Sequence, residues 1–357
     1  MLSLKDVSKR YPNGFTAVKN LNLDVKAGEF VALIGPVGSG KSTVLRMIAG
    51  LENITSGELR IDGDIMNGVS RKNRNIAIIS QKNGLYPRMS VQENIAAPTK
   101  ALARAAAEAA GVEELLSVRV KSLSLAQKLR VAIAREISKN PGIILFDEPL
   151  ANLTPGMKER ARIDISVLRR GLGATFIYAA RDQEEAMALA DKLVIMRNGA
   201  ITASGTPSGL YRDPPSLFVA DFIGTPRMNM LEAVVLRKKD DVFLATGNGM
   251  LIPVSDESLK KDAGLEVIVG VRPERAGVAS VETAPPRFYV HEFEIAAAEL
   301  FGANAFLRLR LNDDFFSVLG TPSEMPKPGE KVKIAIDTEN IYLFNRNTEE
   351  AIPYRKM

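Results

Sequence analysis

The stretch GEFVALIGPVGSGKSTVLRMIAGL, Gly28 to Leu51, opens on a short apolar run, Phe30 to Ile34. A glycine-rich loop follows, and an apolar-periodic stretch begins at Ser42. That order is strand, loop, helix. Within it GPVGSGKST, Gly35 to Thr43, fits the spacing G-x-x-x-x-G-K-[ST]. Gly35, Gly38 and Gly40 let the backbone curl, Ser39 included, until successive N–H groups point inward at phosphate oxygens. Lys41 brings a positive charge to the β and γ phosphates. Ser42 offers a hydroxyl to Mg2+, and the helix carrying Thr43 presents its positive end. The alternative is a glycine-rich turn that merely precedes Lys-Ser. The strand before it and the helix after it weigh against that.

A second apolar run, PGIILFDEP, ends in two carboxylates. Asp147, at the tip of this strand, can reach the Mg2+ shell. Glu148 can polarise an attacking water. Two carboxylates at a helix start, stabilised by the helix dipole, are the other reading. The phosphate loop elsewhere in the chain favours the catalytic one.

The remaining sequence up to about Met230 alternates the same two textures. NIAIIS, ATFIYAA and KLVIMRNG read as strands; ALARAAAEAAGVEELLSV, ERARIDISVLRRGL and DQEEAMALA read as helices. Strands alternating with helices indicate an α/β fold with a largely parallel sheet. After Met230 the pattern changes to apolar–polar alternation with Gly and Pro turns, as in LEAVVLRKKDDVFLATGNGMLIPV and EKVKIAIDTENIYLFN. That predicts a small all-β domain of the barrel type. The boundary is placed in FIGTPRMNML, giving domains 1–230 and 231–357.

Composition narrows the function classes. The 357 residues suffice for two domains, and they include no cysteine and a single histidine, His291. Disulfides, cysteine metal sites and histidine clusters are thereby excluded, and a reducing cytosolic setting is allowed. No run approaches the roughly 18 apolar residues of a membrane span. The start, MLSLKDVSKRYPNG, lacks the apolar core of a secretory signal. A net charge of +5 suits an anionic small ligand or a phospholipid-facing partner. Lys and Arg are scattered, so nucleic acid is not expected as a partner.

Taken together, GPVGSGKST, ISQKNGLYPRMSVQENI, LSLAQKLRVAIARE, IILFDEPLANL, IYAARDQEEAM, VIMRNGAITASGTP, LYRDPPSLFVADFIGTPRMN and GVRPE resemble the ATP-binding-cassette (ABC) ATPases, specifically the sugar and polyol importer subunits of the maltose-transporter type. The resemblance covers essentially the whole chain. It implies a P-loop ABC ATPase domain with a helical subdomain at about 85–140, followed by an OB-like β domain. It implies ATP and Mg2+ as ligands. Tyr11 would stack on adenine. Gln81 would sense the γ-phosphate and the metal, and Lys82 to Val91 would line a groove for the permease. Ser124 and Gln127 would contact the γ-phosphate held by an opposite subunit. The implied partners are integral-membrane permease subunits, a second ATPase subunit and a periplasmic or lipid-anchored solute-binding protein. The implied location is peripheral, on the cytoplasmic face of the inner membrane.

Four departures stand against this pattern. The family's Leu-Ser-Gly-Gly-Gln loop reads Leu123-Ser124-Leu125-Ala126-Gln127, and Leu125 adds a side chain where close backbone approach is expected. Arg181 replaces a histidine that bridges γ-phosphate, water and base; it cannot shuttle a proton near neutrality but can bind phosphate. Thr154 stands where an aspartate is usual. The insert between about Pro98 and Ser122 is short. The catalytic candidates are therefore Glu148, Gln81 and Arg181, with Ser42, Gln81 and Asp147 at the metal. These departures favour pairing with an intact second ATPase. The competing class is a nucleotide-binding scaffold with negligible turnover. A P-loop GTPase or small-molecule kinase has no place for the LSLAQ loop or the GVRPE segment.

Overall fold

The structure is a computed structural model that describes residues 2–80, 84–278, 287–302, 304–312, 314–321 and 325–353. The chain divides into two compact units, breaking between Gly209 and Leu210.

The first unit runs β1 (Leu2–Arg10), β2 (Thr16–Val25), β3 (Phe30–Ile34), α1 (Lys41–Ile48), β4 (Ser56–Ile61), β5 (Asp64–Ile65), β6 (Ile76–Ser80), α2 (Val91–Ala96), α3 (Ala103–Ala109), α4 (Leu125–Ile137), β7 (Ile143–Asp147), α5 (Pro155–Leu172), β8 (Thr175–Ala179), α6 (Gln183–Leu189), β9 (Lys192–Arg197) and β10 (Ala200–Gly205). Its main sheet has the order β10-β9-β3-β8-β7-β6. All neighbours pair in parallel except the antiparallel edge strand β10. Every residue of β3, β7 and β8 is buried. Strands covered on both faces carry continuous apolar runs, which is why FVALI, IILFD and TFIYA stand out in the sequence. Parallel pairing has a functional consequence. The chain leaves β3, β7 and β8 from the same edge, with Asp147 and Leu33 both in register with Ala179. The loops after these three strands therefore meet there.

A smaller antiparallel sheet, β2-β1-β4-β5, covers part of the core and is not foreshadowed by the sequence reading. The helical subdomain is α2, α3 and α4, which contact one another. The helices expected over ALARAAAEAAGVEELLSV reduce to one short α-helix and a turn. Only Ala103–Ala109 is α-helical, Gly111 turns left-handed at φ +61°, and a 3-10 turn follows at Glu113–Leu115. No helix among the described residues is long and apolar enough to cross a membrane.

The junction contains α7 (Pro207–Arg212), and the second unit continues with α8 (Leu217–Phe222), β11 (Asn229–Lys238), β12 (Asp241–Thr246), β13 (Leu251–Val254), β14 (Glu266–Val271), β15 (Ala276–Val278), β16 (Phe288–Phe301), β17 (Asn304–Leu311), β18 (Asp314–Gly320), β19 (Lys331–Asp337), β20 (Ile341–Asn345) and β21 (Ala351–Ile352). They form antiparallel sheets of order β13-β12-β11-β14-β20-β21 and β15-β19-β16-β17-β18 around one apolar core.

The break falls before Leu210 rather than after Met230 because the intervening segment is stitched to the β unit. Ala220 of α8 packs with Met228 and Phe344. Arg272, almost wholly buried, donates to the carbonyls of Tyr211, Ala220 and Ile223, and its guanidinium lies 4.0 Å from the Tyr211 ring centroid. Arg272→Ala removes one donor group from three carbonyls and a stacked cation. At about 1–3 kcal/mol for each abandoned buried acceptor, a loss of about 3 kcal/mol is expected. Thermal unfolding of the full chain, followed by a reporter on the β unit, measures it.

Candidate functional site

The phosphate loop leaves β3 at Gly35 and enters α1 at Lys41. It passes between two backbone walls. A Cβ at Gly35 would lie 2.1 Å from the Met196 carbonyl oxygen, and one at Gly40 would lie 2.6 Å from that of Ala17. Both glycines also have positive φ, +150° and +103°. No other residue fits either position without moving β9 or β2. The Lys41 ammonium is buried inside the curl and donates to Gly35 O at 2.8 Å, Pro36 O at 3.0 Å and Ser39 Oγ at 3.2 Å. The loop is thus already wrapped around a cation. Burial pulls the Lys41 pKa below its ordinary value; Glu148 opposes this, Arg181 adds to it, and Asp147 opposes it.

The strand β7 delivers the carboxylates. Asp147 Oδ1 accepts from Ser42 Oγ at 2.7 Å, so the hydroxyl at the start of α1 and the carboxylate at the end of β7 share one point. Glu148 follows in a left-handed conformation, φ +51°, and its N–H donates to Ala179 O at 3.0 Å. Next to it, Ala180 N–H donates to Leu33 O at 3.0 Å, carrying the chain out to Arg181. Arg181 Nε reaches Glu148 Oε2 at 2.6 Å. This ion pair raises the Arg181 pKa, chiefly through the hydrogen bond to Glu148.

The turn bearing Arg181 is fixed from below. Asp182 caps α6 by accepting from Glu184 N–H. Lys158 of α5 bridges Asp182 at 3.4 Å and Glu185 at 2.8 Å. The buried Tyr178 hydroxyl donates to Glu185 at 3.0 Å. Burial, then Glu185, pushes that hydroxyl's pKa well up, so it remains a donor.

Lys41, Ser42, Asp147, Glu148 and Arg181 are therefore brought together, with Gly35, Ser39 and Gly40 shaping the wall. Gly38 lies exposed at the loop's outer turn and Thr43 half-buried in the first turn of α1. Tyr11 sits in the β1–β2 hairpin, its N–H bonded to Phe15 O at 2.9 Å, on the strand pair whose Ala17 walls the loop. Gln81, with Lys82, lies outside the described residues. Ser124 and Gln127 cap α4 reciprocally, Gln127 N–H to Ser124 Oγ at 3.3 Å and Ser124 N–H to Gln127 Oε1 at 2.9 Å. Among the described residues neither bonds to this chain's own phosphate loop. Leu125 beside them is half-exposed. Thr154 stands at the start of α5 before Pro155 and makes no side-chain cap.

Comparison with known proteins places this geometry. Residues 18–151 match the model of the ABC transporter family, and residues 224–276 match that of the MalK OB fold domain. The chain is 38% identical to the sn-glycerol-3-phosphate import ATP-binding protein UgpC of Psychromonas ingrahamii, over 98% of this chain and 95% of that one. The chain belongs to the ABC transporter ATP-binding family. It is likewise 37% identical to the multiple sugar-binding transport ATP-binding protein MsmK of Streptococcus mutans, over 98% of this chain and 99% of that one. Among solved structures the dimeric ABC cassette MJ0796 superposes with TM-score 0.52 at 29% identity, covering 58% of this chain and 99% of its own. This ABC protein is thus a P-loop ATPase with a C-terminal OB-fold MalK domain, and it binds ATP.

Two contacts among the candidate residues are not visible in the sequence. One is the direct contact of Arg181 with Glu148, which needs the strand order to be seen. The other is Lys9, whose Nζ lies 4.9 Å from the Tyr11 ring centroid while bonded to Asn53 O at 2.8 Å and Glu52 at 2.9 Å. The spacing of two between Lys9, in β1, and Tyr11, just past its end, is the available signal, since extended residues two apart share a face. Lys9 lies against the Tyr11 ring, the ring that the resemblance assigns to adenine. Lys9→Met is expected to weaken ATP binding about two- to fivefold, about 0.5–1 kcal/mol of cation–π contact, and to leave inorganic triphosphate binding unchanged. Competition titrations with both ligands check this.

Proposed function

We propose that this ATPase is the nucleotide-binding subunit of an importer for a sugar or polyol, glycerol-type solutes included. It binds MgATP, sits on the cytoplasmic face of the inner membrane and drives permease gating together with a second, intact ATPase subunit. The carrying observation is the phosphate loop wrapped around Lys41, with Ser42 bonded to Asp147 beside it.

The residues present fit Mg2+. Ser42 Oγ and Asp147 Oδ1 converge 2.7 Å apart, and hydroxyl and carboxylate oxygens are the donors a small hard cation takes. Ser42, Asp147 and Gln81 would hold the ion, which when bound neutralises charge on the β and γ phosphate oxygens. Lys41 and the loop amides hold the phosphates. Glu148, directed by the fixed backbone after β7, accepts a proton from the attacking water. The relatives named above, import ATP-binding proteins for glycerol phosphate and for multiple sugars, support the solute class. A cleft of about 640 Å³, lined by Tyr86, Ala97, Pro98 and Arg135 among others, lies beside the segment that resembles the permease groove.

The pairing follows from what is altered. Loss of one preorganised transition-state donor costs about 10²–10³ in rate. Two copies of this chain would put both Leu125 and Arg181 at each site. With an intact sister, each site carries one fault. Purifying the tagged chain from membranes is expected to bring down permease subunits, a solute-binding protein and a different ATPase. Permeases with only copies of this chain would overturn the pairing, and absence of permeases would overturn the importer reading.

A second reading, a nucleotide-binding scaffold with negligible turnover, is favoured by one observation: Arg181 occupies the carboxylate of the base. Bound ATP that never yields product in the assembled complex would establish it.

A further inference from the structure

The Arg181–Glu148 pair joins two side chains of very different freedom. Glu148 is confined: its carboxylate is 14% exposed, its backbone is left-handed, and its N–H is tied to β8. Arg181 is 60% exposed and hangs on a long, flexible stem above the turn capped by Asp182. When the contact breaks, the guanidinium moves and the carboxylate stays. An ion pair this open to water is a weak hold, suited to exchange.

The charges around the loop say what can displace it. Lys41 feels Glu148, Arg181 and Asp147 together, so the four groups share one field in which two cations balance two anions. A terminal phosphate adds about two negative charges and three acceptor oxygens. That is a stronger partner for a forked guanidinium than one carboxylate oxygen. A nucleoside diphosphate lacks that terminal phosphate and offers the guanidinium no such alternative.

We propose that Arg181 is a positioning residue that holds Glu148 while no terminal phosphate is present and exchanges it for that phosphate when a nucleoside triphosphate enters, so that ATP, and not ADP, frees the base. The inference rests on the nucleotide-binding reading above. It makes Arg181 the residue that distinguishes the two nucleotides, and it turns the lost histidine into a different device.

The test is calorimetric titration of the full chain with ADP and with a non-hydrolysable ATP analogue, in the wild type, Arg181→Gln, Glu148→Gln and the double variant. Arg181→Gln is expected to lower the analogue-to-ADP affinity ratio about tenfold, the worth of one charge-assisted hydrogen bond, with ADP affinity unchanged. Glu148→Gln is expected to raise analogue affinity about two- to fivefold, because Arg181 no longer has to leave a carboxylate. That gain should vanish in the double variant. Equal losses for ADP and analogue in Arg181→Gln, or a Glu148→Gln gain that persists without Arg181, would overturn the exchange. Failure of the wild-type chain to bind either nucleotide would overturn the nucleotide site itself.

Discussion

Replacing Lys41 with alanine is expected to weaken MgATP binding to this chain by at least about a hundredfold. Two charge-assisted hydrogen bonds to phosphate oxygens, at about 1.5 kcal/mol each, correspond to that factor. The structure adds a second loss. The Lys41 ammonium is the shared donor for Gly35 O, Pro36 O and Ser39 Oγ, so its removal also takes away what the loop is wrapped around. The walls at Met196 and Ala17 keep the backbone from opening far, so the chain should still fold while the cradle loses its centre. Titration of MgATP into Lys41→Ala, beside a thermal melt of the same sample, separates lost binding from lost structure.

The second large effect lies at Glu148. Glu148→Gln preserves the shape of the side chain and its backbone bond to Ala179 but removes the proton acceptor. General-base loss of this kind costs about 10²–10⁴ in rate. The measurement has to see this chain's own site, because in the proposed pair a second ATPase subunit also turns over ATP. Single-turnover hydrolysis should therefore be followed in a complex whose sister has lost its own phosphate-loop lysine. Slowing by about a hundredfold or more is expected, with ATP retained. Unchanged hydrolysis would remove Glu148 from the role of base.

Much of this site was legible in the sequence because its parts are local. The loop Gly35 to Thr43 announces itself through glycine spacing, and Asp147–Glu148 through the apolar run before them. The main-sheet strands were equally plain, since burial on both faces leaves unbroken apolar runs such as Phe30–Ile34. What could not be read is the pairing of distant segments. Nothing local says that β8 lies between β3 and β7, and that placement alone sets Arg181 against Glu148. The antiparallel sheet of β1, β2, β4 and β5 is hidden for a related reason: its β1–β4 pairing joins segments far apart in sequence, and its edge strand β5 has two residues. The two compact units divide at Gly209 and Leu210 although Gly and Pro in FIGTPRMNML look like a linker, because Arg272, far downstream, binds the preceding segment to the β unit. Ser124 and Gln127 stand out by resemblance; in the structure they form a reciprocal cap on α4, with Leu125 exposed beside them.

This chain carries intact phosphate-binding residues beside altered closing residues, and one measurement addresses both. The purified chain is loaded with radiolabelled MgATP, and a single turnover is followed alone and in the proposed complex with permease subunits and a second ATPase. The expected result is that the isolated chain retains the nucleotide and converts it slowly, and that conversion quickens in the complex. Hydrolysis by the isolated chain at the rate of the complex, or no retained nucleotide in either setting, would contradict it.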